Sequence, residues 1–148
     1  MIIDRGTVVL IELDPTVGHE QRGVRPCIVV SDPAVNADQR FPLIAVVPVT
    51  ATAGHGALYP ELLPGPSGLA KTSYALVDQL RSVDKRRLRR VFGRISSEEQ
   101  AAIDQGLELF LGLAAHKAAE RDEEARQRPD AELVKRMGAL PRHERGDE

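Results

Sequence analysis

Short β-branched runs, each cut off by proline or glycine, constrain this chain more than any other feature. Thr7-Val8-Val9-Leu10-Ile11-Glu12-Leu13 is the first; its branched side chains fit a pleated surface better than a helical turn. Cys27 to Ser31 reads as its partner across a polar loop. Leu43-Ile44-Ala45-Val46-Val47-Pro48-Val49-Thr50 reads as a third strand, and Pro48, lacking a donor, predicts an edge or a bulge there. Asp32 to Pro42 carries turn residues and reads as a loop, and Ala51 to Gly56 is small and flexible. Leu58 to Leu63 reads as a short strand, Pro64 to Gly68 as a loop, and Tyr74 to Leu80 as a strand with polar Asp78 and Gln79 at its end.

One helix is clear. Ser96 as N-cap with Glu99 three residues on makes a capping box, since each side chain satisfies an orphan backbone N–H. Ile103, Leu107, Phe110, Leu111 and Ala114 follow at helical spacing, a face for core or dimer packing. Several short strands followed by one helix predict a small, strongly bent antiparallel barrel with a helix laid against it. From about Lys117 charges of both signs crowd together, and Pro129 and Pro141 interrupt any long helix. The chain thus divides into a folded body over residues 1–116 and a charged, partly helical or disordered tail over 117–148, in which Asp130 could cap a short segment through Leu133, Val134 and Met137.

With 148 residues the chain suits one domain plus an appendage, large enough to bury a core without disulfides or a structural metal. The single Cys27 fits a reducing compartment and heads an apolar run, so it reads as a small buried hydrophobe. No apolar stretch reaches the roughly 18 residues of a membrane helix, and no signal-peptide core begins the chain, so a cytoplasmic protein is expected. A net charge of -2 gives no global sign of nucleic-acid binding, although a basic face can coexist with an acidic tail. Aromatics are 3% with no Trp, which argues against folds that stack single-stranded bases on aromatic platforms.

Chemistry concentrates between the first two strands. Leu13-Asp14-Pro15-Thr16-Val17-Gly18-His19-Glu20-Gln21-Arg22-Gly23-Val24-Arg25-Pro26 brings an imidazole, a carboxylate and two guanidiniums into one loop. A hairpin needs turn formers, but it has no need of that mixture, which can hold an anion and move a proton. Pro26 stiffens the backbone beside Arg25, which suits bidentate phosphate binding; an ion pair with Glu20 is the competing reading. Thr50 closes a strand and is either a turn former or a hydroxyl for a phosphate oxygen. Asp78-Gln79-Leu80-Arg81-Ser82-Val83-Asp84 is a second polar cluster, and Lys85 to Arg94 is a basic run interleaved with Leu88, Val91 and Phe92, either a solvated face or a track for a phosphate backbone. There is no Gly-rich phosphate loop and no Cys/His metal spacing, and the four His residues (19, 55, 116, 143) are scattered, so neither metal nor cofactor is expected.

These blocks resemble a known family. Asp4 to Val8 with Leu13 to Pro26, then Val46-Val47-Pro48-Val49-Thr50, then Asp78 to Leu88, are similar in content and order to the MazF/PemK-type toxins over about residues 4 to 115. The resemblance implies an SH3-like, CcdB/PemK-type antiparallel barrel with a C-terminal helix, forming a homodimer. It implies an mRNA interferase, a ribosome-independent endoribonuclease that cuts single-stranded RNA at short sequences, held in check by a small, partly disordered MazE-like antitoxin. By motif, Arg25 and Thr50 match the catalytic positions, and Glu20 falls in the same loop motif. In the Kid/PemK branch the Asp matching Asp78 is the proposed base, and the His matching His19 assists substrate binding. The catalytic Arg of that branch lies two residues before its Asp; here Leu76 stands in that place, so Arg25 inherits the cationic role. Gln21, Gln79, Arg81, Arg86 and Arg87 are the candidates for holding the RNA. Two other readings are a non-catalytic CcdB-like toxin acting on a protein target, and an RNA-binding module in which the basic run dominates.

Overall fold

The structure, a computed structural model, describes residues 3–15, 17–113 and 131–138. Strands β1 (Thr7–Glu12), β2 (Val24–Val29), β3 (Leu43–Thr50), β4 (Glu61–Leu62), β5 (Ser73–Ala75), β6 (Arg81–Asp84) and β7 (Leu88–Arg94) form one antiparallel sheet in the order β4-β5-β3-β2-β1-β7, with β6 also paired to β3. A short helix α1 (Pro33–Ala37) follows β2, α2 (Ser97–Phe110) follows β7, and α3 (Ala131–Met137) comes from the tail. The ends of the strand order meet: Arg94 in β7 donates its N–H to the carbonyl of Pro66, in the loop after β4, at 3.0 Å. Register shifts where β1 meets β7 add twist, and the sheet curls back on itself as a small barrel.

Both faces of the sheet are buried. Val8, Ile28, Val47, Val49, Tyr59 and Leu76 belong to one apolar layer, which α2 covers through Ile103 and Leu109. Val9, Ile11, Leu13, Cys27, Val29, Ile44, Val46 and Val83 form the second layer, on the opposite face. Completely buried Ile103 contributes about 1.5–3 kcal/mol of transfer free energy. The capping box that starts α2 is present, and Glu99 uses its second carboxylate oxygen to accept the N–H of Leu63 at 2.7 Å, tying the helix to the loop after β4.

Several expectations change. β2 starts at Val24, so Arg25 and Pro26 lie within the strand rather than before it. Pro48 is not at an edge but in the central strand: β6 leaves β3 after Val46 and β5 joins at Val49, so the missing donor falls in the gap between them. The strand expected over 74–80 stops at Ala75, and Val77–Gln79 is a 3₁₀ turn that carries Asp78 and Gln79. The segments read as a polar exit and a basic run are strands β6 and β7, separated by a 3₁₀ turn at Lys85–Arg87. The buried stripe of α2 runs through Ile103, Gly106 and Leu109, while Phe110 and Leu111 are exposed. Ala114 and the Asp130 cap lie outside the described residues.

Candidate active site

Residues paired across an antiparallel ladder share a face, and alternate residues of a strand return to it. Arg25 pairs with Ile11 and Arg81 pairs with Val46, so both guanidiniums belong to the face that carries the second apolar layer. β2 and β3 pair as Val29↔Val46 and Cys27↔Pro48; the same register continued by two residues sets Arg25 opposite Thr50. Thr50 in turn pairs with half-buried Tyr74. Two cations, a hydroxyl and an aromatic ring therefore share one face where the β2–β3 ladder ends.

Each is held differently. Arg25 is exposed, and its Nε donates to the carbonyl of Arg22 at 2.9 Å, which leaves its terminal nitrogens for a ligand. Thr50 Oγ1 accepts the N–H of Thr52 at 3.1 Å, so the hydroxyl proton is free to point at an anion. Arg81 donates to the carbonyl of Leu13 at 3.0 Å and lies 4.0 Å from the Glu20 carboxylate. The loop ion pair therefore involves Arg81 and Glu20, whereas the competing reading of the sequence paired Arg25 with Glu20. Glu20 and His19 project from the loop into solvent.

The comparisons with known proteins bear on this face. Residues 4–111 match the PemK-like, MazF-like toxins of type II toxin-antitoxin systems. The chain belongs to that family. It is 36% identical over 113 residues to Endoribonuclease MazF9 of Mycobacterium tuberculosis, covering 74% of this chain and 96% of that protein. It is similar to the crystal structure of MazF (Form-I) from Deinococcus radiodurans, with a TM-score of 0.65 and 30% identity, over 76% of this chain and 98% of that one. The crystal structure of MazE-MazF (Form-II) from Deinococcus radiodurans matches at a TM-score of 0.60 and 30% identity, over 76% of this chain and 97% of that one.

The loop motif of this MazF-like chain is fixed from outside. Gln79 Oε1 accepts the N–H of Gln21 at 2.8 Å, so both candidates for RNA contact serve first as structure. Arg87 donates to the carbonyls of Glu12 and Asp14, and thereby pins the root of the loop. Arg86 is exposed but paired with Asp84 at 3.0 Å, and that hydrogen bond holds the Asp84 carboxyl down at about 2. Others of the basic run are engaged as well: Lys85 donates to Val35 and Asp38 carbonyls, Arg89 to the Arg86 carbonyl, and Arg94 pairs with Asp4.

Asp78 is not drawn to Arg25. Its Oδ2 accepts the Tyr59 hydroxyl at 2.7 Å, and its Oδ1 is buried with no partner among the described residues. Tyr59 belongs to the first apolar layer, and burial, then the Asp78 hydrogen bond, raises its phenol well above the usual range. Nothing in the sequence signals this pair, whose members stand 19 positions apart. Cys27 is buried and free, and desolvation pushes its thiol up to about 12, so it is inert packing. No group of three or more His, Cys, Asp or Glu is placed to hold a metal among the described residues. Two cavities, of about 390 and 500 Å³, are lined by Glu61, Glu98 and Glu99 against the start of α2; that acidic wall would repel a phosphate chain.

Proposed function

We propose that this chain is the toxin of a toxin–antitoxin pair: a metal-independent, sequence-specific endoribonuclease that cuts single-stranded RNA. The observation that carries the reading is the placement of Arg25 and Thr50 at the open end of one sheet face, with Arg81 and Glu20 beside them. RNA supplies its own nucleophile, so the protein has three tasks. It must take the 2′-OH proton, stabilise charge on phosphorus, and let the 5′-oxygen leave. The 2′-oxygen bonds to phosphorus as the P–O5′ bond breaks, and the departing 5′-oxygen takes a proton from water, leaving a 2′,3′-cyclic phosphate and a 5′-OH.

Arg25 presents terminal N–H groups to the phosphate oxygens, and Thr50 donates its hydroxyl to the same group. Arg25 is a poor proton donor, because a guanidinium does not give up its proton in proteins. Glu20 or His19 is the base, being exposed on the loop where a ribose can reach; Asp78, bonded to Tyr59, is the weaker candidate. Tyr74, paired with Thr50, offers a ring for stacking a base. Residues 1–116 carry this activity and 117–148 are an appendage. The protein works in the cytoplasm as a homodimer, neutralised by a MazE-like antitoxin.

The test incubates wild type, Arg25→Ala and Thr50→Ala with a long RNA in EDTA. Cleavage at a short repeated sequence, lowered about 10²–10³-fold in Arg25→Ala, is expected, since one lost donor to developing charge costs that much. Cleavage of a DNA copy lacking the 2′-OH would end this mechanism.

A further inference from the structure

The tail returns to the body at one defined place. Ala57 and Leu58 donate their N–H groups to the carbonyls of Arg136 and Met137, at 2.7 and 2.9 Å. Met137 packs against the first apolar layer. The contact admits no side chain where the backbones cross: Gly56 and Gly138 both have positive φ, a Cβ on Gly138 would overlap the His55 carbonyl, and a Cβ on Gly56 would overlap Gly138 itself. A pair of glycines in the left-handed region at one crossing point, with two main-chain hydrogen bonds and a half-buried Met, is a built joint. Its tail half, Arg136 to Gly138, lies beyond residues 4–111, the part that matches the family.

The joint bears on both walls of the site. Leu58 accepts the N–H of Val77 at 3.0 Å, at the start of the turn whose Gln79 holds the β1–β2 loop. Tyr59, the next residue, holds Asp78 on that same turn. In the other direction, residues 51–55 span the gap from Thr50 to this joint. Arg25 and Thr50 themselves sit in ladders with β1 and β5.

We propose that Ala131–Gly138 is a clasp that positions the loop following Thr50 for substrate binding, with Gly138 and Met137 as its positioning residues. This rests on the endoribonuclease reading. Docked, the segment fixes the far end of the 51–56 loop, and RNA meets a preformed wall. Undocked, the loop loses its two main-chain bonds to Arg136 and Met137, and RNA must order it on binding, which weakens affinity and leaves the sheet-held chemistry in place.

The experiment uses the full chain as wild type, Gly138→Ala, Met137→Asp and, as a control on the exposed side of α3, Val134→Ser. Amide hydrogen exchange at Ala57 and Leu58 is measured beside kcat and KM for a single-site RNA. In Gly138→Ala and Met137→Asp, exchange at both amides should quicken about tenfold or more. KM should rise severalfold in both with kcat within about twofold, and Val134→Ser should match wild type. Exchange unchanged in both joint variants would show that no clasp exists. Faster exchange with KM unchanged, or a loss confined to kcat, would overturn the positioning role. RNA left uncut by a wild type whose two amides are protected would refute the endoribonuclease reading, and this role with it, while leaving the docking intact.

Discussion

Gln79 Oε1 accepts the main-chain N–H of Gln21 at 2.8 Å, a bond across 58 positions of sequence that ties the turn after β5 to the loop after β1. Gln21 is almost fully buried, so little water is at hand to replace the lost acceptor. Gln79→Ala should therefore cost about 1–3 kcal/mol of local stability. Because Glu20 immediately precedes Gln21, the substitution should also lower kcat/KM on RNA by about 10–100-fold. Faster exchange of the Gln21 amide, measured beside cleavage, separates this effect from general unfolding.

Tyr59 and Asp78 form the second long-range pair. Tyr59→Phe leaves a carboxylate whose other oxygen already lacks a partner, and should lower unfolding free energy in urea by about 1–3 kcal/mol. The phenol of Tyr59 ionises late in the folded state, so its contribution is present below pH of about 10 and is lost as the pH climbs toward the raised value. An ultraviolet titration of wild type should accordingly contain an alkaline component that is missing from Tyr59→Phe.

Gly106 in α2 sets helix propensity against packing. Alanine would favour the helix by about 1 kcal/mol. Its Cβ, however, would stand 2.6 Å from the Ala57 carbonyl and 3.2 Å from Val77, and the backbone oxygen cannot swing away as a side chain could. Packing should win, so Gly106→Ala should destabilise by about 1–3 kcal/mol, read from the urea midpoint.

Arg5 grips Asp104 with both terminal nitrogens, and Gln100 adds a third donor. The Arg5 hydrogen bond, ahead of the opposing desolvation, holds the Asp104 carboxyl below its usual value. The stabilisation is therefore present above the unfolded value near pH 4 and is lost as pH falls through the lower folded value. About a third of each side chain meets water, so screening limits the pair to about 0.5–1 kcal/mol. Asp104→Asn should cost that much at neutral pH and should show a flatter fall in stability below pH of about 4, followed by thermal melts across that range.

Much of this protein is set by local rules. The β-branched runs at Thr7–Glu12 and Leu43–Thr50 form strands because nothing else suits those side chains, and Ser96 with Glu99 starts α2 because their reciprocal bonds need only neighbours in sequence. The blocks around Arg25, Thr50 and Asp78 likewise carry the family signature in their order along the chain. What no local rule reaches is the pairing. Leu88–Arg94 looks like a solvated basic run, and becomes a strand only because β1 offers it a ladder, with Val91 paired to Val9. Arg25 joins β2 because Ile11 lies across from it, and that register, continued through β3, is what sets it opposite Thr50. Asp78, an open candidate by composition, is committed by a tyrosine 19 positions away, and the β1–β2 loop by a glutamine 58 positions away. Sequence determined the strands at Thr7–Glu12 and Leu43–Thr50, the start of α2, and which loop carries the reactive groups. Tertiary structure decided which of those groups face one another, because ladder register and long-range hydrogen bonds depend on partners that only folding brings within reach.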